Sequence, residues 1–158
     1  MAEHRISIIG FVWRPGEITP SVIQMARRTG SSAVFDFSMM GVDRLCSTLR
    51  KVDPDGHVRD IKISAPAFLD PSLLQSLEGT GVHDIWVECH PLFFQEDIAR
   101  FLQRLREMSE SYRLFPIIGD MGLLASFLKD STGIGRMVLK GCEASGFVSG
   151  ETTTVFIH

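Results

Sequence analysis

Lys140, Gly141, Glu143 and Gly146 fall within seven consecutive residues, where side chains able to do chemistry stand among glycines able to turn the chain. An apolar run, Met137 to Leu139, leads into Lys140-Gly141-Cys142-Glu143-Ala144 and then into the small-residue turn Ser145-Gly146. A lysine and a carboxylate placed where a buried strand surfaces can hold a polar ligand, and the glycines let backbone N–H groups approach it closely. In parallel α/β proteins the carboxyl ends of the strands are where ligands are met and chemistry is done.

Other strand ends supply further candidates. If they gather on one face, they bring together Trp13 and Arg14, Asp36 and Ser38, Ser64, Glu88 and His90, Asp120, and Lys140 with Glu143. His90, followed by Pro91, is the candidate catalytic base, although lone histidines at strand ends are commonly satisfied by local hydrogen bonds. Glu143 has two roles open to it, orienting Lys140 or forming a structural salt bridge. Cys89 and Cys142 raise a thiol alternative near the same mouth. Neighbouring strand residues point to opposite faces, so Cys89 does not pair readily with His90. Cys142 with His90 remains, beside the commoner reading of a buried, inert cysteine. Trp13 and Trp86 are expected in core or rim packing. His57, His83 and His90 have no ligand spacing, so no metal is expected.

These residues are positioned by a regular succession of elements. Apolar runs predict strands at 6–13, 33–37, 58–64, 84–89, 114–119 and 136–140. Helices are predicted between them, at 20–28, 43–51, 72–78, 95–109 and 121–128. Thr19-Pro20 and Asp70-Pro71 read as helix starts, with Gly30 and Gly79 as stops. Ile98, Phe101, Leu102, Leu105 and Met108 recur at helical spacing. Arg100, Arg104 and Arg106 are expected on that helix's solvated side.

Strand ends recur every roughly 20–30 residues, the length of one βα unit. Strands that are apolar without clean alternation suit a parallel sheet covered by helices. The expected fold is α/β, a partial TIM-type (β/α) barrel of about six βα units in a single incomplete domain spanning 1–158. An open doubly wound sheet is the alternative. No GxGxxG or GxxxxGK[ST] follows a strand, which argues against a dinucleotide or P-loop site. With 44% hydrophobic residues the 158-residue chain can bury a substantial core. A net charge of −3 gives no basic footprint for nucleic acid. No apolar run reaches the ~18 residues that span a bilayer, so no membrane partner is expected. Three irregularly spaced cysteines form neither a disulfide framework nor a CxxC site, which points to a reducing, cytoplasmic setting.

The chain resembles the first part of the nitronate monooxygenase-like (2-nitropropane dioxygenase-like) flavoproteins, FMN-binding TIM barrels. The resemblance is carried by Thr19-Pro20-Ser21 through Gly30, by Val34 to Ser38, and above all by Lys140-Gly141-Cys142-Glu143-Ala144-Ser145-Gly146. It is closest to the degenerate barrel segments of polyketide and polyunsaturated fatty acid synthase-like proteins, whose layout Pro20-Ser21, Ala26, Gly30 and Asp36 match. The resemblance implies oxidoreductase chemistry on FMN, with Lys140, Gly141, Glu143 and Gly146 as cofactor-binding residues and Lys140 near the flavin ring or ribityl chain. Two departures follow. Phe147 stands where active members place a histidine base, and a phenyl ring takes no proton. The chain also stops at His158, before the strands whose loops hold the FMN phosphate. The expected function is therefore a non-catalytic or cofactor-poor barrel remnant, a structural or docking module of a polyketide or fatty acid synthesis assembly, with no cofactor in the isolated chain. The alternative is an FMN-dependent oxidoreductase completed by the remainder of a longer chain or by another subunit. Open sheet edges lead to an expectation of self-association.

Overall fold

A computed structural model describes residues 10–12, 18–29, 33–89, 98–129 and 137–139. In chain order the elements are β1 (Gly10–Val12), α1 (Pro20–Thr29), β2 (Ala33–Asp36), α2 (Val42–Val52), β3 (Asp60–Ser64), α3 (Ala65–Leu69), α4 (Leu73–Leu77), β4 (Asp84–Cys89), α5 (Ile98–Met108), β5 (Arg113–Ile118), α6 (Met121–Lys129) and β6 (Val138–Leu139).

Local chemistry sets the helix starts. Thr19 Oγ1 accepts the Val22 N–H at 3.3 Å just before Pro20, and Asp120 Oδ1 accepts the Leu123 N–H at 2.8 Å ahead of α6. In α2 the buried residues are Val42, Leu45, Cys46 and Leu49, and in α5 they are Phe101, Leu102, Leu105 and Met108. Each set follows the 3.6-residue period and makes one apolar face. The strand after each helix runs parallel to the one before it, because a helical crossover returns the chain to the same end of the sheet.

The sheet has six parallel strands in the order β1-β2-β3-β4-β5-β6. Its body is β2 to β5, with β4 and β5 paired over six residue positions and β6 joined over two. The order never reverses among the described strands, whereas a doubly wound sheet is defined by such a reversal.

Alternation along the strands gives the sheet two different faces. On one, Phe35, Ile61, Ile63, Ile85, Val87, Cys89 and Ile118 share a core with helix residues that include Leu45, Leu49, Phe68, Phe101, Leu105 and Phe127. Phe101 anchors it, with ring centroids 5.2 Å from Phe68 and 5.7 Å from Phe127. The other face holds a separate cluster, Val34, Trp86 and Ile117 with Phe115 and Val138 against them, and none of these residues belongs to a helix. Trp86 stacks on Phe115 at 4.5 Å.

Two local expectations are corrected. The residues after β3 form α3, capped by the Ser64 side chain and carrying Pro66 in its first turn, where the sequence suggested no helix before Asp70. Arg104 is not on a solvated face: its side chain is 16% exposed, and Nη2 donates to the Asp70 carbonyl at 3.4 Å while Nη1 lies 3.5 Å from Glu107. Arg100 reaches the neighbouring Leu69 carbonyl, so α5 ties down the end of α3.

Candidate functional site

The face on which no described helix packs carries an ionic cluster at the carboxyl ends of three adjacent strands. In the ladder Asp36 on β2 sits beside Lys62 on β3, and Ser64 sits beside Glu88 on β4. Lys62 Nζ lies 3.0 Å from Asp36 Oδ2 and 2.9 Å from Glu88 Oε2. The other carboxylate oxygen of Asp36 accepts the Ser38 backbone N–H at 2.8 Å and its hydroxyl at 2.6 Å. Both ends of Asp36 are thereby fixed. Asp36 and Lys62 are 6% and 7% exposed.

Burial by itself lowers the Lys62 pKa, but the hydrogen bond to Glu88 and the charges of Asp36 and Glu88 outweigh it and leave it raised. Lys62 is therefore an ammonium at neutral pH. It can orient carboxylates and balance charge, but it is not the free amine that attacks a carbonyl carbon.

A cavity of about 560 Å³ opens at this end of the sheet. Glu88, Ser64 and Ser38 line it from the strand ends, Met39 and Met40 from the segment leading into α2, and Asp70 from the end of α3. Hydrogen bonds from the Ser72 hydroxyl and N–H to Asp70 Oδ1 hold the Asp70 carboxyl below its usual range. The volume is that of a small-molecule site.

The amino ends of the strands carry a different group. Asp60, Asp84 and Arg113 are ladder neighbours, and Arg113 forks onto Asp84 at 2.6 and 2.7 Å. The Trp86 indole points at Asp60 Oδ1 from 3.5 Å. Burial, and then the adjacent Asp84 charge, push the Asp60 carboxyl up. A second cavity, of about 590 Å³, lies at this end. In barrel-like α/β folds this end serves stability and the carboxyl end serves chemistry.

Of the sequence candidates, Asp36, Ser38, Ser64 and Glu88 come together at one site. Asp120 instead caps α6. Cys89 is corrected: it is fully buried on the helix-covered face, away from the mouth, and burial pushes its thiol pKa far up, so it is no nucleophile. Trp86 packs with Val34 and Ile117 on the face opposite the described helices. His90, Lys140, Gly141, Cys142, Glu143, Gly146 and Phe147 lie outside the described residues, as do Trp13 and Arg14. Among the described residues no group of three His, Cys, Asp or Glu side chains is placed to hold a metal ion, and no helix is long and apolar enough to cross a membrane.

Lys62, the centre of the cluster, was missed by sequence reasoning. Only its face was signalled, by Asp60-Ile61-Lys62-Ile63-Ser64, where apolar residues alternate strictly with polar ones. Such alternation puts Asp60, Lys62 and Ser64 on one face of the strand and the two isoleucines on the other. The chain matches no protein family, no curated protein and no solved structure.

Proposed function

We propose that the chain is part of a TIM-type (β/α) barrel that binds a small molecule at the carboxyl ends of its strands, over the Asp36–Lys62–Glu88 triad. Three features support the barrel. The strand order is consecutive, the described helix residues pack on one face, and the opposite face is buried, with Val34 at 0% and Ile117 at 5% exposure. A barrel interior has those properties because the sheet curls over its own inner side chains. Completion by further chain or by a second subunit belongs to the same proposal.

The observation that carries the ligand site is a buried lysine held between two carboxylates beside a cavity, at the end of the sheet where such folds bind ligands. Buried ion clusters are a poor route to stability, since apolar residues of similar volume commonly do as well or better. Ligand recognition gives the triad a use that stability does not. The flavin expectation rests on Lys140, Gly141, Glu143 and Gly146. Those four lie outside the described residues, so we route no step through FMN.

A fragment screen by ligand-observed NMR tests the proposal, comparing the wild type with Gly41→Trp. Gly41 lines the cavity, has φ −72°, and has open space where a side chain would grow, so an indole there fills the cavity without backbone strain. Fragments that bind the wild type and not Gly41→Trp support the site. A screen with no fragment blocked by Gly41→Trp overturns it.

The docking-module reading has one observation in its favour: Lys62, Asp36 and Ser38 already satisfy one another without a ligand. On that reading an apolar replacement of the triad changes nothing but stability, and the same screen separates the two.

A further inference from the structure

We infer that Met39 is a peroxide-sensitive modification site whose sulfoxide closes the cavity at the carboxyl ends of β2, β3 and β4 to apolar ligands; the effect on binding rests on the small-molecule site proposed above. Met39 borders that cavity and is 89% exposed, the most exposed large apolar side chain among the described residues. The backbone imposes this position. The Phe37 N–H donates to the Lys62 carbonyl at 2.8 Å, and the Met40 N–H donates back to the Phe37 carbonyl at 2.9 Å. Ser38 is held by its two hydrogen bonds to Asp36. Phe37 and Met40 are buried on either side. Met39 thus stands at the third position of a closed turn, a setting in which Gly, Pro, Asn, Asp and Ser dominate. Its thioether is held out to solvent at the cavity mouth.

The chemistry needs only an accessible sulfur and hydrogen peroxide. The thioether attacks one peroxide oxygen, and an S–O bond forms as the O–O bond breaks. Sulfur gives up two electrons, and the departing hydroxide takes the proton of the new S–OH and leaves as water. The product is methionine sulfoxide, a polar, chiral side chain in place of an apolar one. The described cysteines offer no competing sulfur. Cys46 and Cys89 are buried, and burial pushes both thiols up, away from the reactive thiolate. Met40 and Met108 are buried as well. Met25 is 61% exposed and Met121 less so, but neither lines the cavity. Oxidation therefore alters the cavity wall at Met39, where a flexible, polarizable thioether gives the apolar body of a ligand its contact.

Hydrogen peroxide applied to the full chain, followed by peptide mass mapping, reads the order of oxidation. Met39 is expected first, ahead of Met25 and Met121 and well ahead of Met40 and Met108. Apolar fragments that bind the wild type and are blocked by Gly41→Trp are then titrated by NMR before and after peroxide. Their affinity is expected to fall several-fold, up to roughly tenfold, on oxidation. Met25→Leu is expected to show the same fall, and Met39→Leu none between its own reduced and oxidised forms. Met39→Gln, with a polar side chain of similar length, is expected to bind weakly without peroxide. Oxidation of Met40 or Met108 as fast as Met39, or an equal fall in oxidised Met39→Leu, overturns the inference. Fragments that bind oxidised and reduced wild type alike, while Gly41→Trp still blocks them, overturn it too and leave the small-molecule site standing. A wild type that binds no fragment sensitive to Gly41→Trp overturns both.

Discussion

A lysine buried between two carboxylates stabilises the fold only as a set, because each charge alone is costly to hold out of water. Lys62→Met removes the ammonium that Asp36 and Glu88 share. It is expected to lower unfolding free energy by about 3–5 kcal/mol, the usual result of breaking a buried pair. Replacing the set together, as Asp36→Leu, Lys62→Met and Glu88→Leu, is expected to return stability to within about 1 kcal/mol of wild type. Urea unfolding of the three proteins checks this, and a triple variant as unstable as Lys62→Met would show the ions are needed for folding itself. At the other end of the strands Asp60 makes a pH-dependent contribution of definite sign. Its folded pKa lies above the ordinary 3.8 because of burial and the neighbouring Asp84. The associated stability is fully present below 3.8 and is lost as pH rises through the raised value. Asp60→Asn mimics the protonated acid, so its urea midpoint should gain on wild type as pH rises from acid to neutral, then level off. A constant difference across that range would refute the assignment. At this scale the sequence was informative about strand-end positions: Asp36, Ser38, Ser64 and Glu88 were readable because each stands where an apolar run stops. Lys62 was not. It lies inside its strand, and its place in the site depends on register with β2 and β4, a long-range property that no local pattern carries.

Elements with a strong apolar period were readable almost to the residue. β4 has the bounds expected of it, and α2 and α5 carry the buried residues their spacing implied. α3 was not readable, since five residues containing a proline make too little periodicity to register. Its start is decided instead by Ser64, which caps it, and its end by the arginines of α5. Connections have constraints of their own. The turn after α2 and the turn after α4 cross backbone to backbone, and a Cβ added to Gly81 would lie 1.8 Å from the Gly56 carbonyl oxygen. Gly56 itself has φ +66°, in the left-handed region, so it cannot easily move aside. Asp53 holds the same turn by accepting the Val58 N–H at 2.6 Å. Gly81→Ala is therefore expected to cost about 2 kcal/mol or more and to lower Tm by roughly 4–8 °C for a chain of this size. Gly41→Ala serves as the control, since its added Cβ meets nothing within 4 Å. Calorimetry on both variants decides it, and equal Tm values would mean the crossing is looser than described.

Across the whole molecule, the spacing of strand ends was enough to expect successive βα units and a parallel sheet, because each unit is local in sequence. Whether the sheet curls and closes was not readable. Closure depends on strands at opposite ends of the chain, and their pairing leaves no mark on either one alone. The face opposite the described helices now gives a way to decide. In an open sheet with helices on one side only, that face would meet water, yet Trp86 is 7% exposed and stacked on Phe115. The chain has two tryptophans, so Trp13→Phe leaves Trp86 as the only indole emitter. A barrel-type interior predicts blue-shifted emission that acrylamide quenches weakly, in dilute as well as concentrated protein. Quenching that weakens only as protein concentration rises would show that a second copy covers this face, as open edges would allow. Red-shifted, freely quenched emission at every concentration would mean that the face is open to solvent. The triad of Asp36, Lys62 and Glu88, which shares that face, would then lose the enclosure that its ligand chemistry requires.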